Sequence, residues 1–368
     1  MPTDLIYTSL FRLFRMSAGL EGTEEAMRLS AEEWKAVIRE ASKHKVLGAT
    51  HPVIAKLPES SGIPFVTYLS SEKVANLTKL FNERHTKATA EVYRFFSDNG
   101  FRCCILKGVA SASYYPQPEL RQNGDIDIWT SGDRNAIYSF LKERFPLRKT
   151  TYVHTEARIG NGFKVEVHYT PSWMFSPFAN RRLQKWFQAC ADDQFGNYNE
   201  ALGFAVPTDR FNGTYMLLHM FRHLFYEGIG LRHVMDYYFV LTKISEADRD
   251  DVRRNVSMLG LSRFASALMW VMEEVFDMDS RYFLCEPDKR RGRTLLEAIM
   301  VSGDFGRDDP LFDNNGSRHE GMLAHNLRKL WRSMKFFYIS PSEFIWMPFY
   351  MTWQYLWRRR KGYLYKGR

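Results

Sequence analysis

The sequence predicts an α+β fold, a small mixed β-sheet core flanked by N-terminal helices and a C-terminal helical domain. Three observations carry this. The first hundred residues repeat their apolar positions at helical spacing, residues 101–206 hold short alternating strands, and from Thr208 onward the helical period returns. The expected division is therefore 1–100, 101–206 and 207–368. Of the 368 residues 45% are hydrophobic and 15% aromatic, enough to bury a sizeable core and to exclude a disordered chain.

In order along the chain, MPTDLIYTSLFRLFRMSAGL lacks a long apolar core and reads as an amphipathic helix, not a signal peptide. SAEEWKAVIREASKHKVL opens with Ser30 as N-cap and Glu33 three residues on, a capping box. Pro52, Pro58, Gly62 and Pro64 punctuate a loop, and one long helix follows from about 65 to 98, stopped by Asn99-Gly100. Its expected buried face is Leu69, Val74, Leu77, Leu80, Phe81, Ala88, Val92 and Phe95. FRCCIL and DIDIWT read as strands, RNAIYSFLKERF as a helix, and TYVHTEARIG with FKVEVHY as a hairpin around Asn161-Gly162. ALGFAVP, 201–207, is a further strand candidate, and helices are expected over 208–226, 231–243, 246–258, 260–277, 290–302, 320–337 and 341–359.

Four cysteines with no CxxC pair point to a reducing cytoplasm. The net charge of +9 draws on a tail, WRRRKGYLYKGR, that carries no acid. Such a tail is ordinarily a solvated terminus, and nucleic acid is a possible but not favoured partner. No uninterrupted apolar stretch reaches the ~18 residues of a membrane span. FIWMPFYMTWQYLW, 344–357, reads as a docked helix, with contact to a membrane surface as the lesser alternative.

The chemistry concentrates on two strands. Residues two apart on a strand share a face, so Asp125 and Asp127 point one way while Ile126 and Ile128 point the other. KVEVH repeats the device: Lys164, Glu166 and His168 share one face, Val165 and Val167 the opposite one. Neighbouring strands would bring three carboxylates together, which repel unless cations neutralise them. Oxygen-only donors suit Mg²⁺ or Mn²⁺, and an exposed polar strand face is the plain alternative. Upstream, Lys107-Gly108 sits at a strand-to-helix turn, where a glycine lets backbone approach a phosphate and the lysine adds a point charge.

The linked set LKG…YYPQPELRQNGDIDIW…VEVH, continued by LLHMFRHLFYEGIGLRHVMDYYFVL, resembles the polymerase-β-like nucleotidyltransferase superfamily. Within it the chain looks like the uncharacterised nucleotidyltransferase family of bacterial proteins. The resemblance covers roughly residues 101–245. It implies that Gly108 cradles a triphosphate, that Asp125 and Asp127 hold Mg²⁺ or Mn²⁺, and that Glu166 is the third carboxylate and helps accept the nucleophile's proton; ATP is the expected NTP. Lys107-Gly108-Val109 departs from the usual Gly-Ser turn, and the longer spacing to Asp125 admits a loop with Tyr115, Pro116 and Arg121. Arg121 is either a phosphate ligand or a salt bridge fixing that loop.

His219 and His223 lie one helical turn apart; a zinc site would need further ligands and no HExxH occurs, so one or both are expected to point into the cleft near substrate. Arg232 and Asp236 are expected either to pair within their helix or to send Arg232 to the nucleotide, and His168 to position or pack. The activity implied is transfer of NMP from an NTP to a small molecule, protein or RNA, with loss of pyrophosphate. The alternative is a degenerate nucleotide-binding protein or a scaffold contacting nucleic acid or membrane.

Overall fold

The computed structural model describes residues 4–23, 27–159, 162–304, 330–331 and 333–363. The turn residue Asn161, most of the helix expected over 320–337 and the tail beyond Tyr363 lie outside them. Four helices lead in: α1 (Asp4–Ser17), α2 (Ala31–Lys43), α3 (Leu47–Ile54) and α4 (Phe65–Asp98). The central unit follows as β1 (Cys103–Ile105), α5 (Val109–Ala112), β2 (Ile126–Thr130), α6 (Arg134–Arg144), β3 (Leu147–Thr150), β4 (His154–Arg158), β5 (Lys164–His168), α7 (Pro177–Gly196), β6 (Tyr198–Asn199) and β7 (Phe204–Ala205). The chain then returns to helices: α8 (Asp209–Tyr226), α9 (Leu231–Lys243), α10 (Glu246–Met258), α11 (Ser262–Phe276), α12 (Lys289–Ser302) and α13 (Pro341–Arg360). No helix among the described residues is long and apolar enough to cross a membrane.

The main sheet has the order β1-β2-β5-β4-β3 and is mixed. β2 runs parallel to β5 with Asp127 opposite Glu166, and β4 and β5 form the antiparallel hairpin. Ile126, Ile128, Val165 and Val167 are buried in a core with Val92 and Phe96 of α4 and Ile137 and Leu141 of α6. The opposite face of these strands is left to the charged residues. A second, larger core is shared by α1–α3, α7–α12 and α13, so the helices before and after the sheet pack around common side chains such as Phe14, which stacks on Phe276 of α11.

The Ser30–Glu33 capping box forms in both directions. The buried face of α4 differs from expectation. Thr67, Ser71, Ala75, Thr78, Asn82, His85, Thr89, Val92 and Phe96 are buried, whereas Leu69, Leu77, Leu80 and Phe81 are exposed, Leu77 by 56%. Burial of the hydroxyls is inexpensive because they bond within their own helix: Thr78 donates to Val74 O at 2.7 Å and Thr89 to His85 O at 2.8 Å. Sequence reasoning also missed the edge strand β3 and the 20-residue α7, although Ser176 before Pro177 is a readable start: Ser176 caps Ala179 N and proline occupies the first turn. The strand expected in 201–207 is only the two residues of β7, paired with β6 in a separate two-stranded sheet, with Phe204 buried in the core of the main sheet.

Candidate active site

The acids assemble from the ends of adjacent strands. Asp125 immediately precedes β2 and is one-third exposed, while Asp127 inside the strand is 2% exposed. Two ammonium groups lie among the carboxylates. Lys107 Nζ is 3.0 Å from Asp127 Oδ1, and Lys164 Nζ is 3.1 Å from Asp125 Oδ2 and 2.6 Å from Glu166 Oε1. His168 Nε2 is 3.0 Å from Asp127 Oδ1, and His154, from β4, turns Nδ1 to within 3.5 Å of Glu166 Oε2.

These neighbours separate the three carboxyls. Burial and the charges of Asp127 and Glu166 raise Asp125 above the ordinary carboxylate range. Burial also acts to raise Asp127, but Lys107 and His168 outweigh it and bring that group down. Glu166 is opposed by burial in the same way, yet His154, His168 and Lys164 hold it well below its usual value. Burial works to lower Lys107, and the surrounding acids reverse this, so it stays charged.

The donor chemistry fits Mg²⁺ or Mn²⁺. Three carboxylates converge on one face of the sheet, and the two lysines touching them show how strongly the place favours cations. Lys164, nearly half exposed on its flexible stem, is able to yield its position.

Gly108 follows Lys107 with φ +64° and ψ −115°, a conformation glycine adopts and other residues resist. A side chain there would also approach Asp125 O and the ring of His85. The helix after it is a single turn, 109–112, too short to set up the field of a long helix N-terminus.

Arg121 is only 4% exposed and is committed to the loop before Asp125. Nε and Nη2 donate to the two oxygens of Asp236 at 2.7 and 2.6 Å, and Nη1 donates to Gly108 O at 3.3 Å and to Asn123 Oδ1. Of its two expected roles the geometry supplies the salt bridge, and the guanidinium has no exposed edge for phosphate. Tyr115 OH also donates to Asp236, at 2.6 Å. The pair expected between Arg232 and Asp236 is thereby replaced. Arg232, buried, bonds Asp304 Oδ1 at 2.9 Å and Gln122 O at 3.2 Å.

α8 lies against the acidic face. Tyr215, His219, His223 and Glu227 recur every four residues along it; Tyr215 feels the charges of Lys107, Asp127 and Glu166, and His219 those of Lys107 and His168. His219 and His223 are in ring contact, with centroids 4.3 Å apart, and His233 of α9 completes a cluster. Burial, reinforced by Lys107, holds His219 well below the ordinary histidine value.

Asn82, His85, His154 and Glu156 escaped sequence reasoning. Asn82 Nδ2 holds the loop through Glu119 O and Arg121 O at 2.7 and 2.8 Å. His154 and Glu156 carried a signal, since HTEAR alternates in the same manner as KVEVH and pairs directly with it.

A family model described as uncharacterised nucleotidyltransferase matches residues 30–277, more of the chain than the motifs span. No curated protein matches the chain.

Proposed function

The chain belongs to the uncharacterised nucleotidyltransferase family, and we propose that it moves NMP from an NTP, with ATP the leading choice, to a hydroxyl, phosphate or amine acceptor. The observation that carries this is the convergence of Asp125, Asp127 and Glu166 on one sheet face beside the Gly108 turn. Held by these carboxylates, Mg²⁺ or Mn²⁺ supplies charge neutralisation at the phosphates and lowers the acceptor's pKa. Gly108 admits the triphosphate close to backbone, and Lys107 and Lys164 add positive charge along it. The acceptor's oxygen or nitrogen bonds to the α-phosphorus as the α–β phosphoanhydride bond breaks, and pyrophosphate leaves with that bridging oxygen. Glu166, the third carboxylate, helps accept the acceptor's proton, either directly or through water. The four cysteines, none in a disulfide, suit a cytoplasmic setting.

The test is transfer of α-³²P from labelled NTPs to candidate acceptors with Mg²⁺ or Mn²⁺. Asp125→Asn and Asp127→Asn each lose at least ~100-fold, the scale of removing one transition-state stabiliser. Equal turnover by wild type and both variants defeats the assignment.

One observation favours an additional surface contact. Ile345, Phe349 and Leu356 are exposed along one face of α13, and Arg358, Arg359 and Arg360 form its last turn. Apolar residues beside a basic cluster fit an anionic lipid surface. Co-sedimentation with phosphatidylglycerol vesicles is expected, lost in a Phe349→Ser/Leu356→Ser variant and absent with phosphatidylcholine alone. Retention on RNA with no vesicle binding overturns it.

A further inference from the structure

Beside the oxygen donors of Asp125 and Asp127 stands a second donor set of different chemistry. His154 and His168 face one another across the antiparallel pair β4–β5, with Glu166 on the same side. One donor atom from each of His154, Glu166 and His168 lies within 4.8 Å of the others. His154 Nδ1 is 3.5 Å and His168 Nε2 3.7 Å from the same oxygen, Glu166 Oε2. Both separations exceed the usual hydrogen-bond length of about 2.7–3.2 Å. They match the edges of a coordination shell, because ligands about 2.1 Å from a tetrahedral ion are about 3.4 Å apart. His168 Nε2 is hydrogen-bonded to Asp127 Oδ1 at 3.0 Å, a contact that a metal on this nitrogen would replace, with Asp127 left beside it as a fourth donor.

Both rings are enclosed, and among the described residues Nε2 of His154 and Nδ1 of His168 are buried without a hydrogen-bond partner. These are the ring nitrogens turned away from Glu166, whereas Nδ1 of His154 and Nε2 of His168, turned toward it, are the donors that a metal would take. Glu166 divides its two oxygens, Oε1 toward Lys164 and Asp125 and Oε2 toward the histidines.

We propose that His154, His168 and Glu166 form a binding site for a first-row divalent transition-metal ion, with Asp127 available as a fourth ligand. Two imidazoles and carboxylate oxygen suit Zn²⁺, Mn²⁺, Fe²⁺ or Co²⁺, whereas Mg²⁺ keeps to oxygen. The site is adjacent to the all-oxygen one and shares Glu166 with it, so the inference deepens the nucleotidyltransferase reading by giving its centre two unlike metal positions.

Co²⁺ is the probe, because its visible d–d absorption reports nitrogen ligation. Titrating the full-length protein with Co²⁺ in millimolar Mg²⁺ produces a saturable band. His154→Gln weakens Co²⁺ binding by about tenfold or more, as loss of one of three protein ligands requires, and Asp125→Asn leaves the band in place. Circular dichroism and thermal melts establish that each variant is folded. Pulsed EPR of the Mn²⁺-loaded wild type reads imidazole nitrogen coupling with no substitution at all. A band indifferent to His154→Gln, or a Mn²⁺ spectrum without nitrogen coupling, overturns the proposal whatever the transfer assay gives. A histidine-dependent band in a protein without transferase activity leaves this site standing and removes the nucleotidyl-transfer reading instead.

Discussion

Burial holds the His44 imidazole at about 3, with the Lys43 charge acting in the same direction and Asp304 against them. The residue caps α2 and accepts the Leu231 N–H at the start of α9 through Nδ1, 3.2 Å away. Its other nitrogen is buried with no hydrogen-bond partner among the described residues. The sign of its linkage follows from proton counts. Between about pH 6.5 and 3 the unfolded chain binds a proton at this histidine that the native one refuses, so stability falls as pH falls through 6.5. At pH 5 the loss relative to pH 7.5 is about 2 kcal/mol from this group, by the worth of a pKa unit. His85 and His154, each held near 4 chiefly by burial, act in the same direction. His44→Asn keeps an acceptor for Leu231 but does not titrate, and its denaturant midpoint should change less than wild type between pH 7.5 and 5. Equal changes in the two proteins would remove His44 from the acid response.

Elements differ in how openly the sequence displays them, and the difference follows from the distance over which their determinants act. Strand alternation is a property of five consecutive residues, so the shared face of Asp125 and Asp127, the matching face of Glu166, and the isoleucines behind them were all legible. The helices from α8 to α12 were legible within a residue or two because their apolar stripes meet the larger core. α4 was legible in extent but not in orientation, since its inward face is built of threonines, Ser71, Asn82 and His85 that follow no hydrophobic count. The loop clamp was hidden for another reason: Arg121 and Asp236 are 115 residues apart, and the nearer Arg232 offered a local partner that the fold does not use. That clamp ties the Tyr115–Asn123 segment to α9 and touches Gly108 O, so it sets both ends of the site. Arg121→Ala leaves the Asp236 carboxylate buried without its bidentate partner and costs about 3–5 kcal/mol. Arg121→Lys recovers little, because one ammonium cannot reproduce the two-pronged contact. In urea denaturation the Arg121→Ala/Asp236→Ala pair loses less than the sum of the single variants; strict additivity would refute the coupling.

Across the whole molecule the closing contact is made by Glu343 in the first turn of α13, far in sequence from what it holds. Its side chain is 2% exposed. It accepts from Phe175 N at 2.7 Å and Ser176 N at 2.9 Å, just ahead of α7, and from Arg222 Nη1 of α8 at 3.0 Å. Arg222 lies over the rings of Phe175 and Trp173, 3.8 and 4.5 Å from their centroids, while its Nε and Nη2 are buried without hydrogen bonds among the described residues. One carboxylate therefore joins α13, the start of α7 and the helix that faces the acids. Glu343→Ala strands a buried guanidinium and two backbone N–H groups together, and the expected loss is about 3–5 kcal/mol. The α13 segment should then become the first part of the chain released by limited proteolysis, before the sheet opens. Arg222→Met/Glu343→Leu, which replaces the pair by apolar side chains of similar volume, should recover much of the stability, because neither charge is left buried alone. If Glu343→Ala melts with wild type and releases no C-terminal fragment, α13 is held by its aromatic packing and the carboxylate is incidental. If the double replacement recovers stability but not transferase activity, Arg222 is also needed to set α8 against the acidic face, which stability measurements alone would not reveal.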